Sequence, residues 1–150
     1  MKKYYVAYGS NLNKSQMKRR CPNAIPVTSG VLKDYELIFK GSKSGSYATI
    51  EPKKGASVPV GVWFIDGTDE YRLDQYEGYP FFYYKTNVDV ETEYGTIEAM
   101  VYITHEDRPY GVPTDAYVDV CLAGYDDFGL DKLAFLDAFL SSLQKVSVDD

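Results

Sequence analysis

Val58, Val60, Val62 and Phe64 set four apolar side chains on one face of an extended segment, the period-two signature of a strand that buries a single face. That strand is expected over Val58–Asp66. Comparable stretches recur at Tyr4–Tyr8, Ala24–Leu32, Tyr35–Lys40, Tyr47–Glu51, Phe81–Val90 and Thr96–Thr104, the last two joined at Tyr94-Gly95. Helical signals do not alternate with them. A short polar helix fits Lys14–Arg20 before Pro22. A second starts from a Thr68 cap, with Asp69 and Glu70 in its first turn, and stops at Gly78. A third covers Thr114–Ala123 with Gly124 as its stop. The last carries Leu130, Leu133, Ala134, Leu136, Phe139, Leu140 and Leu143 at helical spacing. About six strands with helices at the edges, out of βαβ order, predict an α+β fold: a small mixed β-barrel with flanking helices.

The 150 residues suit one domain spanning 1–150, with no repeat or linker. A net charge of −6 argues against nucleic acid as a partner. No apolar run approaches the ~20 residues that cross a bilayer, so no membrane partner is expected. Lys2 and Lys3 precede an apolar stretch that ends at Gly9, too short for a secretory signal, and a cytoplasmic location is expected. In that compartment Cys21 and Cys121 are expected to be reduced and buried. The lone histidine, His105, lies in a charged loop and is expected to be solvated; one histidine removes multi-histidine metal sites. Gly41–Ser46 reads as a flexible loop.

Two motifs can carry chemistry. In Tyr8-Gly9-Ser10-Asn11-Leu12 a strand ends, a glycine permits a tight turn and a helix follows. Backbone N–H groups in such a turn can form an anion nest, with Ser10 and Asn11 adding donors. An ordinary strand–helix turn capped by Asn11 or Asn13 satisfies the same pattern. In Leu73-Asp74-Gln75-Tyr76-Glu77-Gly78, Glu77 closes a helix. The negative end of the helix dipole and an aromatic surround would raise its pKa towards the range of a general base. A solvated last-turn glutamate is the alternative. Tyrosine is abundant, at 15 residues; Tyr84, Tyr102 and Tyr117 could line a pocket, or pack in the core with their hydroxyls at its rim.

Taken in order, Tyr8–Leu12, Leu73–Gly78, Tyr84 seven positions after Glu77, and Gly124-Tyr125-Asp126-Asp127-Phe128-Gly129-Leu130 resemble the gamma-glutamylcyclotransferase-like family. Lesser echoes, such as Tyr47-Ala48-Thr49-Ile50 and Val60-Gly61-Val62-Trp63, fill the gaps. The resemblance implies a barrel with one pocket that converts a small γ-glutamyl substrate to 5-oxoproline and a free amine, without cofactor or metal. It implies that Tyr8, Gly9, Ser10, Asn11 and Leu12 hold the γ-glutamyl moiety, that Glu77 is the acid/base, and that Tyr84, Tyr102 and Tyr117 line the pocket. Tyr79-Pro80-Phe81-Phe82 is bulkier than expected for glutathione-pathway enzymes and would reshape the leaving-group side, for an amino acid, a lysine side-chain amine or an amine natural product. A non-catalytic small-molecule binder on the same fold is the alternative function. The mechanism requires Glu77 to face the Gly9–Asn11 loop across a pocket of about 300 Å³ or more. The sequence carries no signal for oligomeric state.

Overall fold

The computed structural model describes residues 2–41 and 45–149. Five strands, β1 (Lys3–Ala7), β2 (Ile25–Lys40), β3 (Tyr47–Ile65), β4 (Tyr83–Thr92) and β5 (Gly95–Thr104), close into a barrel in the order β1-β3-β2-β4-β5. All pairings are antiparallel except β5 with β1, which closes the barrel in parallel with Tyr5 opposite Met100. The expected α+β barrel with flanking helices is present, with five strands rather than about six.

The count falls because two expected breaks are not breaks. Ala24–Leu32 and Tyr35–Lys40 are one strand, β2, carrying an irregularity at Asp34 (φ 64°) between Lys33 and Tyr35. Tyr47–Glu51 and Val58–Asp66 are likewise one strand, β3. The Pro52–Gly55 stretch between them is exposed, so hydrophobic alternation lapses, and the ladder with β2 skips there from Tyr35–Pro52 to Lys33–Ser57 through a bulge with Gly55 at φ 86°. Asp34 bridges the two irregular points by accepting the Gly55 N–H at 2.9 Å. Of the expected Gly41–Ser46 loop, residues 42–44 lie outside the described residues.

The core is the strand face that the alternation singles out: Val58, Val60 and Val62 are fully buried together with Val6, Leu32, Ile50, Val90 and Val101. Four helices surround the barrel: α1 (Lys14–Arg20), α2 (Gly67–Glu77), α3 (Asp115–Asp127) and α4 (Lys132–Asp149). Asn13 caps α1 by accepting the Gln16 N–H. Asp66, not Thr68, caps α2, in a reciprocal capping box with Asp69. Thr114 caps α3. Gly124 does not end α3, which runs on to Asp127. The glycine serves packing instead: a Cβ there would lie 2.6 Å from the Leu12 Cβ. Phe135 of α4 packs edge-on against Phe39 and Tyr125. Both cysteines are free and buried.

Candidate active site

The strand–turn motif places its residues as follows. β1 stops at Ala7, and a single 3-10 turn, Ser10–Leu12, leads into α1. The first N–H groups of such a turn lack an intrahelical acceptor, which leaves those of Ser10 and Asn11 available to a ligand. Gly9 is needed for closeness: a Cβ there would meet the Tyr117 hydroxyl at 2.9 Å and the Ala48 Cβ at 3.1 Å. Leu12 turns inward and is fully buried between Gly61 and Gly124. It anchors the loop rather than lining a cavity, which corrects the expectation that it contacts a ligand. Trp63 Nε1 donates to the Asn11 carbonyl at 2.9 Å and holds the turn against β3.

Opposite the turn stands the end of α2. Gly78 adopts the left-handed conformation (φ 67°) that terminates the helix, and Glu77 is its last residue. Two hydrogen bonds tie this end to the turn: Asn11 Nδ2 to Glu77 Oε1 at 3.2 Å, and Ser10 Oγ with the Tyr76 hydroxyl at 3.2 Å. Between them lies a cavity of about 310 Å³. Glu77, Gly9, Ser10, Asn11, Tyr8, Tyr102 and Tyr117 all line it. Glu77 is the sole carboxylate among its lining residues.

The electrostatics follow from these contacts. Loss of hydration raises the Glu77 pKa from 4.5 to about 7, against the opposing pull of the Arg20 guanidinium and of the Asn11 amide hydrogen bond. Arg20 has a further part. It stacks on the Tyr76 ring at 3.4 Å and donates through Nη1 to Asn11 Oδ1. Because guanidinium can only donate, this bond fixes which way the Asn11 amide points and sends its NH₂ towards Glu77. The same NH₂ donates to the Tyr5 hydroxyl at 2.8 Å.

Burial, with a contribution from the Glu77 charge, raises the phenol pKa values of Tyr5, Tyr8, Tyr83 and Tyr117. Burial followed by the hydrogen bond to Asp74 does the same for Tyr102. These rings therefore remain neutral hydrogen-bonding groups. Tyr8 donates to the Tyr102 carbonyl at 2.5 Å, and Tyr102 to Asp74 Oδ1 at 2.6 Å. Tyr83 donates to the Ala48 carbonyl at 2.9 Å, and Tyr117 accepts the Ala48 N–H at 3.1 Å.

One expected pocket residue stands elsewhere. Tyr84 lines a separate depression with Phe81 and His105, not the cavity. Neighbouring residues of a strand point to opposite faces, and it is Tyr83 that enters the cavity. His105, expected in solvent, is half-buried, with Nε2 2.7 Å from the Pro80 carbonyl and its ring 5.4 Å from Tyr84. Phe82 and Tyr83, two of the rings that follow Glu77 and could dehydrate it, do line the cavity; Tyr5 and Tyr47 on the wall and Arg20 behind it were not singled out from the sequence. Strand parity across β4 was the available signal for Tyr83; nothing local marks Arg20. Among the described residues no group of three or more His, Cys, Asp or Glu could hold a metal, and no helix is long and apolar enough to cross a membrane.

Comparison with known proteins adds to this geometry. The model of the family described as "Gamma-glutamyl cyclotransferase, AIG2-like" matches residues 5–123. The chain belongs to that family. No curated protein matches it closely in sequence. Among solved structures, one titled "Gamma-glutamyl cyclotransferase" shares 29% identity, with a TM-score of 0.77 over 87% of this chain and 82% of that one. An uncharacterised Homo sapiens protein, loc79017, shares 30% identity at a TM-score of 0.76, over 86% and 81% of the two chains. YkqA from Bacillus subtilis shares the fold at 22% identity and a TM-score of 0.74, covering 95% of this chain and 53% of its own.

Proposed function

We propose that this family member is a cyclotransferase that converts a small γ-glutamyl amine or γ-glutamyl amino acid to 5-oxoproline and the free amine, with Glu77 as the acid/base. The observation that carries the reading is the half-buried Glu77 carboxyl, its pKa raised by burial to about 7, facing the Gly9–Asn11 turn across a cavity of about 310 Å³. A cavity of this size suits a small substrate.

The reaction needs little else. The substrate's α-nitrogen attacks its own γ-carbonyl carbon, forming the new C–N bond of a five-membered ring and moving the carbonyl π pair onto oxygen. Glu77 takes the proton that the nitrogen must shed. When the oxyanion collapses, the original amide C–N bond breaks and the departing nitrogen takes that proton back. A carboxyl with a pKa near neutrality serves in both directions. The nucleophile is tethered, so the protein's main task is to freeze the ring-closing conformer. The Ser10 and Asn11 N–H groups are available for the α-carboxylate or the developing oxyanion, and the neutral tyrosines supply further hydrogen bonds.

The test is incubation with γ-glutamyl dipeptides and γ-glutamyl amines, with assay of 5-oxoproline. Wild type is expected to release it, and Glu77→Gln to bind substrate without turnover. Equal product from both would remove Glu77 from the role of base. Binding without reaction across the whole panel would replace the enzyme with a binding protein.

A further inference from the structure

The cavity does not end at Glu77. Gln75, Gly78 and Phe82 line both it and a second, open groove of about 610 Å³ on the outer side of the α2–β4 connection. Aromatic rings dominate the groove. Tyr71 is 64% exposed, Tyr79 40% and Phe81 84%, and these three line the groove together with Phe82. Solvated aromatic rings gathered in this way mark a surface built to be covered. Here the surface shares Gln75, Gly78 and Phe82 with the cavity, so a substrate longer than the cavity can extend onto it.

The groove also holds a cation with unused capacity. Arg108 lies over the Phe82 ring at 4.5 Å and donates from Nη2 to the Phe81 carbonyl at 3.2 Å. Among the described residues it forms no ion pair with a carboxylate. The acidic side chain of the groove, Asp74, is already neutralised: Lys85 stands 2.9 Å from it, and Tyr102 donates to it. The groove therefore offers aromatic faces and one guanidinium fork, the donor that best matches a carboxylate.

We infer that this groove is the leaving-group subsite, and that it selects an aromatic amine whose carboxylate pairs with Arg108. This rests on the cyclotransferase reading and specifies its substrate: a γ-glutamyl conjugate of an aromatic amino acid. The rings of Tyr71, Tyr79 and Phe81 cover the aromatic part while Arg108 takes the acid.

The test compares γ-glutamyl-phenylalanine with γ-glutamyl-phenethylamine, which differ only in that carboxylate, and with γ-glutamyl-alanine, which lacks the ring. The ratio of kcat/KM for the first two compounds is expected to favour the carboxylate about tenfold, the scale of one charge-assisted hydrogen bond. Arg108→Met should bring it to within about twofold, and Arg108→Lys should keep part of it. Phe81→Ser, at an exposed position, should lower the preference for phenylalanine over alanine. The same ratios are read as affinities by calorimetry with the Glu77→Gln protein. If no conjugate turns over but the affinity ratio holds and depends on Arg108, the subsite stands and the enzyme reading falls. A ratio that is absent, or indifferent to Arg108, overturns the subsite and leaves the cyclotransferase intact. A phenylalanine preference indifferent to Phe81 removes the aromatic wall from the inference.

Discussion

Replacing Glu77 with glutamine should make the protein more stable, and only above a certain pH. The carboxyl titrates at about 7 when folded, against 4.5 for an ordinary glutamate. Below pH 4.5 acid and amide are both neutral in folded and unfolded chains, and the two proteins should differ little. Between pH 4.5 and 7 the unfolded wild type releases a proton that the native state still holds, so wild type loses stability relative to the variant. Above pH 7 the loss is complete. At about 1.4 kcal/mol per pKa unit it amounts to at most about 3.5 kcal/mol. In a chain of this length that is a rise in Tm of up to roughly 7–14 °C for Glu77→Gln at pH 8. The Asn11 amide can still donate to the glutamine oxygen, so the substitution opens no gap in the hydrogen bonding. Thermal unfolding of both proteins from pH 4 to pH 8.5 measures the difference. A gap that stays constant across that range would refute the dehydrated carboxyl, and with it the base.

Activity should follow the same titration: kcat/KM for 5-oxoproline release is expected to rise with pH through an apparent pKa of about 7, and Glu77→Gln to lower it by about 10²–10⁴-fold. Arg20→Met removes the strongest influence holding the Glu77 pKa down, so the acidic limb of the pH–rate profile should move to higher pH; an unmoved limb would free Arg20 of that role. Gly9→Ala drives a methyl against the Tyr117 hydroxyl and Ala48. It should cost about 1–3 kcal/mol in urea denaturation, and a neutral result would show that the turn has room to spare.

How much was legible in the sequence depended on what each residue had to satisfy. The alternation of Val58, Val60 and Val62 marks the barrel core because burial imposes period two, but it fails at Phe64, which is half-buried while Trp63 and Ile65 are buried. The same rule misled where burial lapsed: between Pro52, paired with Tyr35, and Ser57, paired with Lys33, β3 bulges through exposed residues that have no ladder partner, and no side-chain pattern records that the two halves are one strand. Gly78 announced its helix end because a left-handed residue has few other identities. Gly124 looked identical in sequence and meant the opposite, since its reason is the approach of Leu12 from a distant segment. Glu77 and Asn11 were legible as motif members. Arg20 was not, because both its direct pull on Glu77 and its hold on Asn11 exist only once α1 folds back on the turn. Tyr84 was placed by spacing from Glu77, but on a strand a shift of one residue changes faces, and the ring in the cavity is Tyr83.

The seat of Leu12 in α3 has a consequence for how such a protein can change. Contact with Gly124 and Gly61 clamps the turn from outside the barrel, whereas the opposite rim is a connection between α2 and β4 that leans on neither. Mutational drift in Tyr79–Phe82 can therefore remodel one jaw while the other keeps its shape; under the proposed reaction, a lineage could exchange one released amine for another without relearning how to hold the acyl half.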